Sequence, residues 1–222
     1  NSFQRNEEGR FIVGSDGWPL VNPEQDVIGD PNPDWTAGVR NTFSYKGISL
    51  SALLDIREGG DMWNGTLGII KYFGTAQETA DLRETAGFLY DGVVQTGTDG
   101  DGNPIYEENN TPVDFANPAL GVGANRWVRY GFGGVSEESI EDASWVRLRE
   151  VTLSYTLPSK LFADSFIEGI SVSFTGRNLA LWTEFTGIDP ETNLTGNGNG
   201  FGLNYFNMPN TRSFGGTLKV TF

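Results

Sequence analysis

The stretch that decides the fold is the last one, Ser213-Phe-Gly-Gly-Thr-Leu-Lys-Val-Thr-Phe222. Even positions carry Phe214, Gly216, Leu218, Val220 and Phe222, and odd positions carry Ser213, Gly215, Thr217, Lys219 and Thr221. Successive side chains of a β-strand point to opposite faces, so this alternation predicts one apolar and one polar face. A tilted strand of about ten residues spans the hydrocarbon core of a bilayer, and this run stops on an aromatic residue.

Four further segments alternate in the same way. In Ile170–Trp182, Ile170, Val172 and Phe174 interleave with Ser171, Ser173 and Thr175, and the phase shifts after Gly176 to Leu179 and Leu181. In Trp145–Leu157, Val151, Leu153, Tyr155 and Leu157 interleave with Thr152, Ser154 and Thr156. The start of that segment is out of phase, with Val146 and Leu148 apolar and Arg147 and Arg149 polar. A bulge near Glu150, or a start above the membrane, accounts for the slip. Pro158 ends the run. Trp35–Tyr45, with Val39, Phe43 and Tyr45 apolar, leads through Lys46-Gly47 into Ile48–Ile56, where Ile48, Leu50, Ala52, Leu54 and Ile56 are apolar. Two alternating runs joined by a short turn with glycine predict a β-hairpin. Leu53 interrupts its polar face.

The connections are very unequal. Lys46-Gly47 is minimal and Pro158–Gly169 moderate, whereas Glu58–Ser144 and Thr183–Arg212 exceed the length usual in a compact domain. Short and long connections alternate strictly, as they do in membrane barrels with short periplasmic turns and long extracellular loops. With the chain end placed in the periplasm, all five strands satisfy the parity. Residues 1–34, 58–144 and 183–212 then belong to extracellular loops. Trp35, Trp145 and Trp182 fall at one level and Tyr45, Tyr155 and Phe222 at the other, which predicts interfacial aromatic girdles; aromatic residues are also simply common in strands. Five strands cannot close a barrel, and open edges in lipid leave backbone groups unsatisfied. The missing strands are expected N-terminal or on another chain. The opening Asn1-Ser-Phe3 lacks a signal peptide, so either the protein is cytoplasmic or the true start lies upstream, and the strand pattern favours the second.

Composition narrows the chemistry. No stretch approaches the roughly 20 apolar residues of a membrane helix, and 30 glycines with 13% aromatic residues suit strands, turns and loops. A net charge of −14 argues against nucleic-acid binding. With no Cys and no His, disulfides, thiolate sites, the commonest metal ligand and the commonest general base are all excluded.

Five ordered blocks carry a family resemblance. They are Asn41-Thr-Phe-Ser-Tyr-Lys-Gly-Ile-Ser-Leu50 with Leu54-Asp55, Arg57 and Gly59-Gly60-Asp61; Ser144-Trp-Val-Arg-Leu-Arg-Glu-Val-Thr-Leu-Ser-Tyr-Thr-Leu-Pro158; Gly176-Arg-Asn-Leu179; Gly187-Ile-Asp-Pro-Glu191; and Pro209-Asn-Thr-Arg212 leading to Phe222. Their order and spacing resemble the C-terminal quarter of SusC/RagA-type TonB-dependent outer-membrane transporters, weakly over Thr66–Gly134. The resemblance implies an all-β fold, the last five or so strands of a 22-stranded antiparallel transmembrane β-barrel. The family's plug domain and TonB-contacting segment are absent. It also implies uptake of oligosaccharides or peptides together with a SusD-like surface lipoprotein, energised by the TonB system through parts not in this chain.

Individual motifs have competing readings. Phe214, Leu218, Val220 and Phe222 resemble the signal read by the barrel-assembly machinery, which captures a strand edge by β-augmentation; alternatively they form an ordinary last strand. Asp99, Asp101 and Asn103 have the spacing of a calcium loop, but Pro104 stands where an EF-hand needs glycine, so an Asp-Gly turn is the simpler expectation and no cofactor is assigned. Asp189 and Glu191 share the spacing of a carboxylate pair, yet nothing else supports catalysis, and the chain is not expected to be an enzyme. Arg147, Arg149 and Arg177 are expected in structural salt bridges of the wall rather than on anionic cargo. Trp127, Tyr130 and Phe132 stand equally for sugar stacking and for packing within a loop or against a lipoprotein. Gly196–Gly200 is expected at a flexible loop tip. Two functional alternatives remain: a secreted β-sandwich that binds carbohydrate, and a barrel-anchored adhesin or siderophore receptor.

Overall fold

A computed structural model describes the 222-residue chain except for Pro118, Leu120, Val122, Gly123, Asp164, Asn197, Gly198 and Asn199. Strands predominate, and the helices are few and short. The order is β1 (Phe11–Ile12), β2 (Trp35–Tyr45), β3 (Ile48–Glu58), β4 (Asp61–Asn64), α1 (Gly65–Tyr72), α2 (Gln77–Leu82), β5 (Gly92–Thr98), β6 (Pro104–Glu108), α3 (Arg126–Tyr130), β7 (Ile140–Asp142), β8 (Trp145–Thr156), β9 (Gly169–Thr183), β10 (Leu203–Asn204) and β11 (Ser213–Thr221). The chain divides into two units. One comprises Asn1–Asp30, Trp63–Glu141 and Leu203–Phe206; the other comprises Pro31–Met62, Asp142–Gly202 and Asn207–Phe222.

The second unit is built on a five-stranded antiparallel sheet in the order β11-β9-β8-β3-β2. Its tightest connection is Lys46-Gly47, where both residues have positive φ (46° and 86°). That is the geometry of a two-residue type I′ turn, whose twist matches the strands it joins. A Cβ on Gly47 would lie 2.7 Å from the carbonyl oxygen of Thr156, so both conformation and space require glycine. In register, Leu50 opposes Phe43 on one side and Leu153 on the other, and Leu153 opposes Phe174. Apolar rows therefore run unbroken across four strands.

The phase slip in β8 has a physical cause. Leu53 pairs with Glu150 and Leu54 with Leu148, so Arg149 is the extra residue of a bulge. The pairing with β9 also slips between Leu148 and Glu150, beside Asn178, which has positive φ (53°). Arg149 and Glu150 consequently both turn to the polar face, while Val146, Leu148 and Val151 stay on the apolar one. One expectation fails here. Trp145 pairs with Arg57 on the polar side, is buried, and lies under Arg147, whose guanidinium sits 5.1 Å from its ring centre. It is therefore not part of an outward aromatic girdle. Trp35 and Trp182 are exposed at that level, as are Tyr45, Tyr155 and Phe222 at the other.

The first unit has its own core: Phe3, Trp18, Val113, Phe115, Trp127, Tyr130 and Val135. Strand β1 runs parallel to β5, which pairs with β6. Helix α1 starts at Asn64, whose side chain accepts from the Leu67 amide (3.0 Å), and α3 starts at Asn125, whose side chain accepts from Trp127 (3.0 Å). The Tyr130 hydroxyl donates to the Pro19 carbonyl at 2.7 Å, and burial pushes its pKa up. The long connection Glu58–Ser144 is thus folded in itself, with helices that strand alternation does not reveal.

Candidate functional site

The apolar face of the five-stranded sheet is open. Phe214, Leu218 and Val220 are 65%, 67% and 40% exposed, and Phe43, Ile48, Leu50, Leu153, Val172 and Phe174 are exposed beside them. Phe174 stacks on Phe214 across the β9–β11 pair, with rings 6.1 Å apart. An apolar patch this continuous is not left to water by a soluble protein. Phe222 is exposed at the end of the same face. Asn41 alone interrupts the rows on β2.

The opposite face is polar and cross-linked by hydrogen bonds and ion pairs. Hydroxyl pairs ladder across it: Ser44 to Ser49 (3.0 Å), Thr42 to Ser51 (3.1 Å) and Thr152 to Thr175 (2.9 Å). Glu150 binds Arg40 on β2 (3.2 Å) and Arg177 on β9 (3.1 Å), tying strands together over Leu53.

Beyond the bulge lies the densest charge cluster. Arg147 pairs with Asp189 and, at 3.3 Å, with Glu191. Arg149 pairs with Asp55 (2.7 Å) and Glu191 (2.7 Å). Asn210 donates to Asp189 at 2.7 Å, and the Glu191 amide donates to Asp189 at 3.0 Å. Asp189, Glu191 and Asn210 all belong to the connection between β9 and β11, so both ends of that loop are pinned to β8. Although burial opposes its ionisation, hydrogen bonds from Arg147 and Asn210 hold the Asp189 carboxyl below the usual carboxylate range. The two carboxylates imagined as a catalytic pair are thus consumed in ion pairs.

The remaining candidates are placed as follows. Asp99 accepts from the Asp101 amide (2.9 Å), the Asn103 amide (2.8 Å) and the Asn103 side chain (3.0 Å). The Asn103 side chain in particular holds the Asp99 carboxyl below its usual range, and among the described residues no group of metal-ligating side chains converges there. Trp127 and Tyr130 are buried and pack the first unit, whereas Phe132 is exposed and stacks on Tyr205 at 5.7 Å. Asn197–Asn199, the centre of the glycine-rich tip, lie outside the described residues. Sequence reasoning missed the partners of Arg147 and Arg149, although the motif residues Asp189, Glu191 and Asn210 were all in view.

A meander with one open apolar face and the other polar and ion-paired is the build of a membrane β-barrel wall. Comparison with known proteins gives the same class. The chain is 27% identical over 220 residues to TonB-dependent receptor P3 of Formosa agariphila, covering 96% of this chain and 19% of that protein. It is equally 27% identical to TonB-dependent receptor P26 of the same organism, covering 97% of this chain and 19% of that one. Among solved structures, the RagAB peptide importer matches over the whole chain in its open-open state (TM-score 0.56, 20% identity) and its closed-closed state (TM-score 0.57, 20% identity), covering 22% of that chain in each. No family model matches the chain. The chain spans about a fifth of the length of the curated relatives it matches. The resemblance to SusC/RagA-type TonB-dependent transporters thus holds over nearly all of these 222 residues.

Proposed function

We propose that the chain forms the last five strands of a 22-stranded outer-membrane barrel in a TonB-dependent importer of the SusC/RagA type. The sheet completes the wall, with its apolar face toward lipid and its polar face toward the lumen. The turns at Lys46-Gly47 and after Thr156 face the periplasm, and the long connections 58–144 and 183–212 are extracellular loops that shape the vestibule. The importer takes up oligosaccharides or peptides with a SusD-like lipoprotein, and energy arrives through N-terminal parts that contact TonB. Phe214, Leu218, Val220 and Phe222 serve as the signal for barrel assembly. The chain contributes no catalysis and needs no cofactor.

The observation that carries this reading is the exposure, on one face, of Ile48 and Leu50 on β3, Leu153 and Tyr155 on β8, Val172 and Phe174 on β9, and Phe214, Leu218 and Val220 on β11. A carbohydrate-binding β-sandwich would bury such a face against a second sheet, so that alternative is set aside. The test is collision quenching of single labels in the full-length protein in bilayers, made simple by the lack of cysteine in this chain. A label at Leu218 should meet lipid-soluble quenchers and one at Thr217 water-soluble ones. If both positions are shielded from lipid, the reading is wrong.

A further inference from the structure

The first unit carries an aromatic array outside its core. Tyr205 stacks on Trp63, with ring centres 6.2 Å apart, and on Phe132 at 5.7 Å. Phe206 meets Tyr205 at 5.0 Å with its ring steeply tilted. Trp63 and Tyr205 are half-buried, whereas Phe132 and Phe206 are 42% and 58% exposed.

The array is held in place by its own bonds. Strand β10 pairs in parallel with β4, which sets Leu203 beside Trp63 and Asn204 beside Asn64. The Asn204 side chain donates to the Asn64 side chain at 2.8 Å, and both residues are buried. The Phe206 amide donates to the Thr66 hydroxyl at 2.7 Å. Phe206 stands at φ 53°, a left-handed backbone that bulky residues avoid. A ring kept at the surface against backbone strain points to a contact that the ring makes.

Charge says what that contact is. The first unit contains 18 Asp and Glu against 6 Lys and Arg, so it holds −12 of the chain's −14. Five of those cations, Arg5, Arg10, Lys71, Arg126 and Arg129, are already paired with carboxylates of the same unit. A surface of this sign attracts cations and repels anions, and the face of a Phe ring binds ammonium and guanidinium groups. Neither exposed ring has a polar tip to bond the hydroxyls of a sugar. Two half-exposed rings offer on the order of 200 Å², far less than the ~800 Å² that each partner buries in a stable protein interface. That area fits one or two side chains of a cargo better than a lid.

We propose that Phe132 and Phe206 form a subsite for a lysine or arginine side chain of a peptide cargo. The inference rests on the importer reading above and narrows its cargo. The test measures binding to the full-length membrane protein, purified in detergent, of two labelled peptides of equal length that differ only in carrying Lys or Glu. The wild type should bind the Lys peptide more tightly, with the difference shrinking as salt rises. Phe206→Asn, which tolerates the left-handed backbone and removes the ring, should weaken Lys-peptide binding about two- to fivefold, the range for one exposed cation–π contact, and leave Glu-peptide binding unchanged. Phe206→Trp should keep the Lys preference. Equal affinity of the wild type for the two peptides, binding of neither, or Lys-peptide affinity unchanged in Phe206→Asn overturns the proposal. A Leu218 label shielded from lipid would instead overturn the importer reading beneath it.

Discussion

Arg147 and Asp189 form an ion pair across 42 residues of sequence, with the arginine side chain only 2% exposed. Removing one partner of such a pair strands a buried charge, which costs far more than the pair itself contributes. Asp189→Ala should therefore destabilise the loop between β9 and β11 by about 3 kcal/mol, the low end for such losses because Glu191 remains 3.3 Å from Arg147. Protease cleavage in that loop should rise sharply in the folded protein. Arg147→Met combined with Asp189→Leu should recover most of the loss, and a double variant as labile as Asp189→Ala would refute the account.

Acid should release the same loop. Asp189 is more acidic folded than unfolded, so its contribution is fully present above the unfolded carboxylate value near ~4 and is lost as pH falls through the lower folded value. Protease sensitivity of the loop should climb only below about pH 4. Asp189→Asn, which cannot titrate, should show a flatter acid response than the wild type.

Gly47→Ala should impair assembly. It places a side chain at φ 86° and 2.7 Å from the Thr156 carbonyl oxygen, a combined cost of at least ~1 kcal/mol. The fraction of folded, heat-modifiable protein in membranes reads the effect; an unchanged fraction would mean that the turn relaxes freely.

The two faces should answer oppositely to one charge. Leu218→Arg puts a cation on the lipid side near the middle of β11 and should cost roughly 2–4 kcal/mol of membrane stability, whereas Thr217→Arg, on the polar side, should be tolerated. Urea or guanidinium unfolding of the refolded full-length protein in lipid measures both. Similar losses at the two positions would contradict the assignment of faces.

What the sequence disclosed and what it hid follow one rule. Period-two alternation is local, so the hairpin at Lys46-Gly47 and the direction of Phe214, Leu218 and Val220 are visible along a single strand. The slip at Arg149 is visible as a broken phase, but its effect on Trp145 is not, because which face the displaced residue takes depends on its pairing with Arg57. The clamp of Asp189, Glu191 and Asn210 onto Arg147 and Arg149 spans distant segments and leaves no periodic trace. Helices α1 and α3 are short and held by packing around Trp127 and Tyr130; their capping residues Asn64 and Asn125 were the available signal.

The surplus residue at Arg149 lets a single strand serve two environments. Below it the strand beats in one rhythm, and above it in the other. Straightening that bulge into a regular pleat, with the surplus residue kept, would turn the upper segment inside out by half a pleat. Arg147 would then face the hydrocarbon, Leu148 the water, and the outer loop would lose its mooring, although no residue of the loop itself had changed.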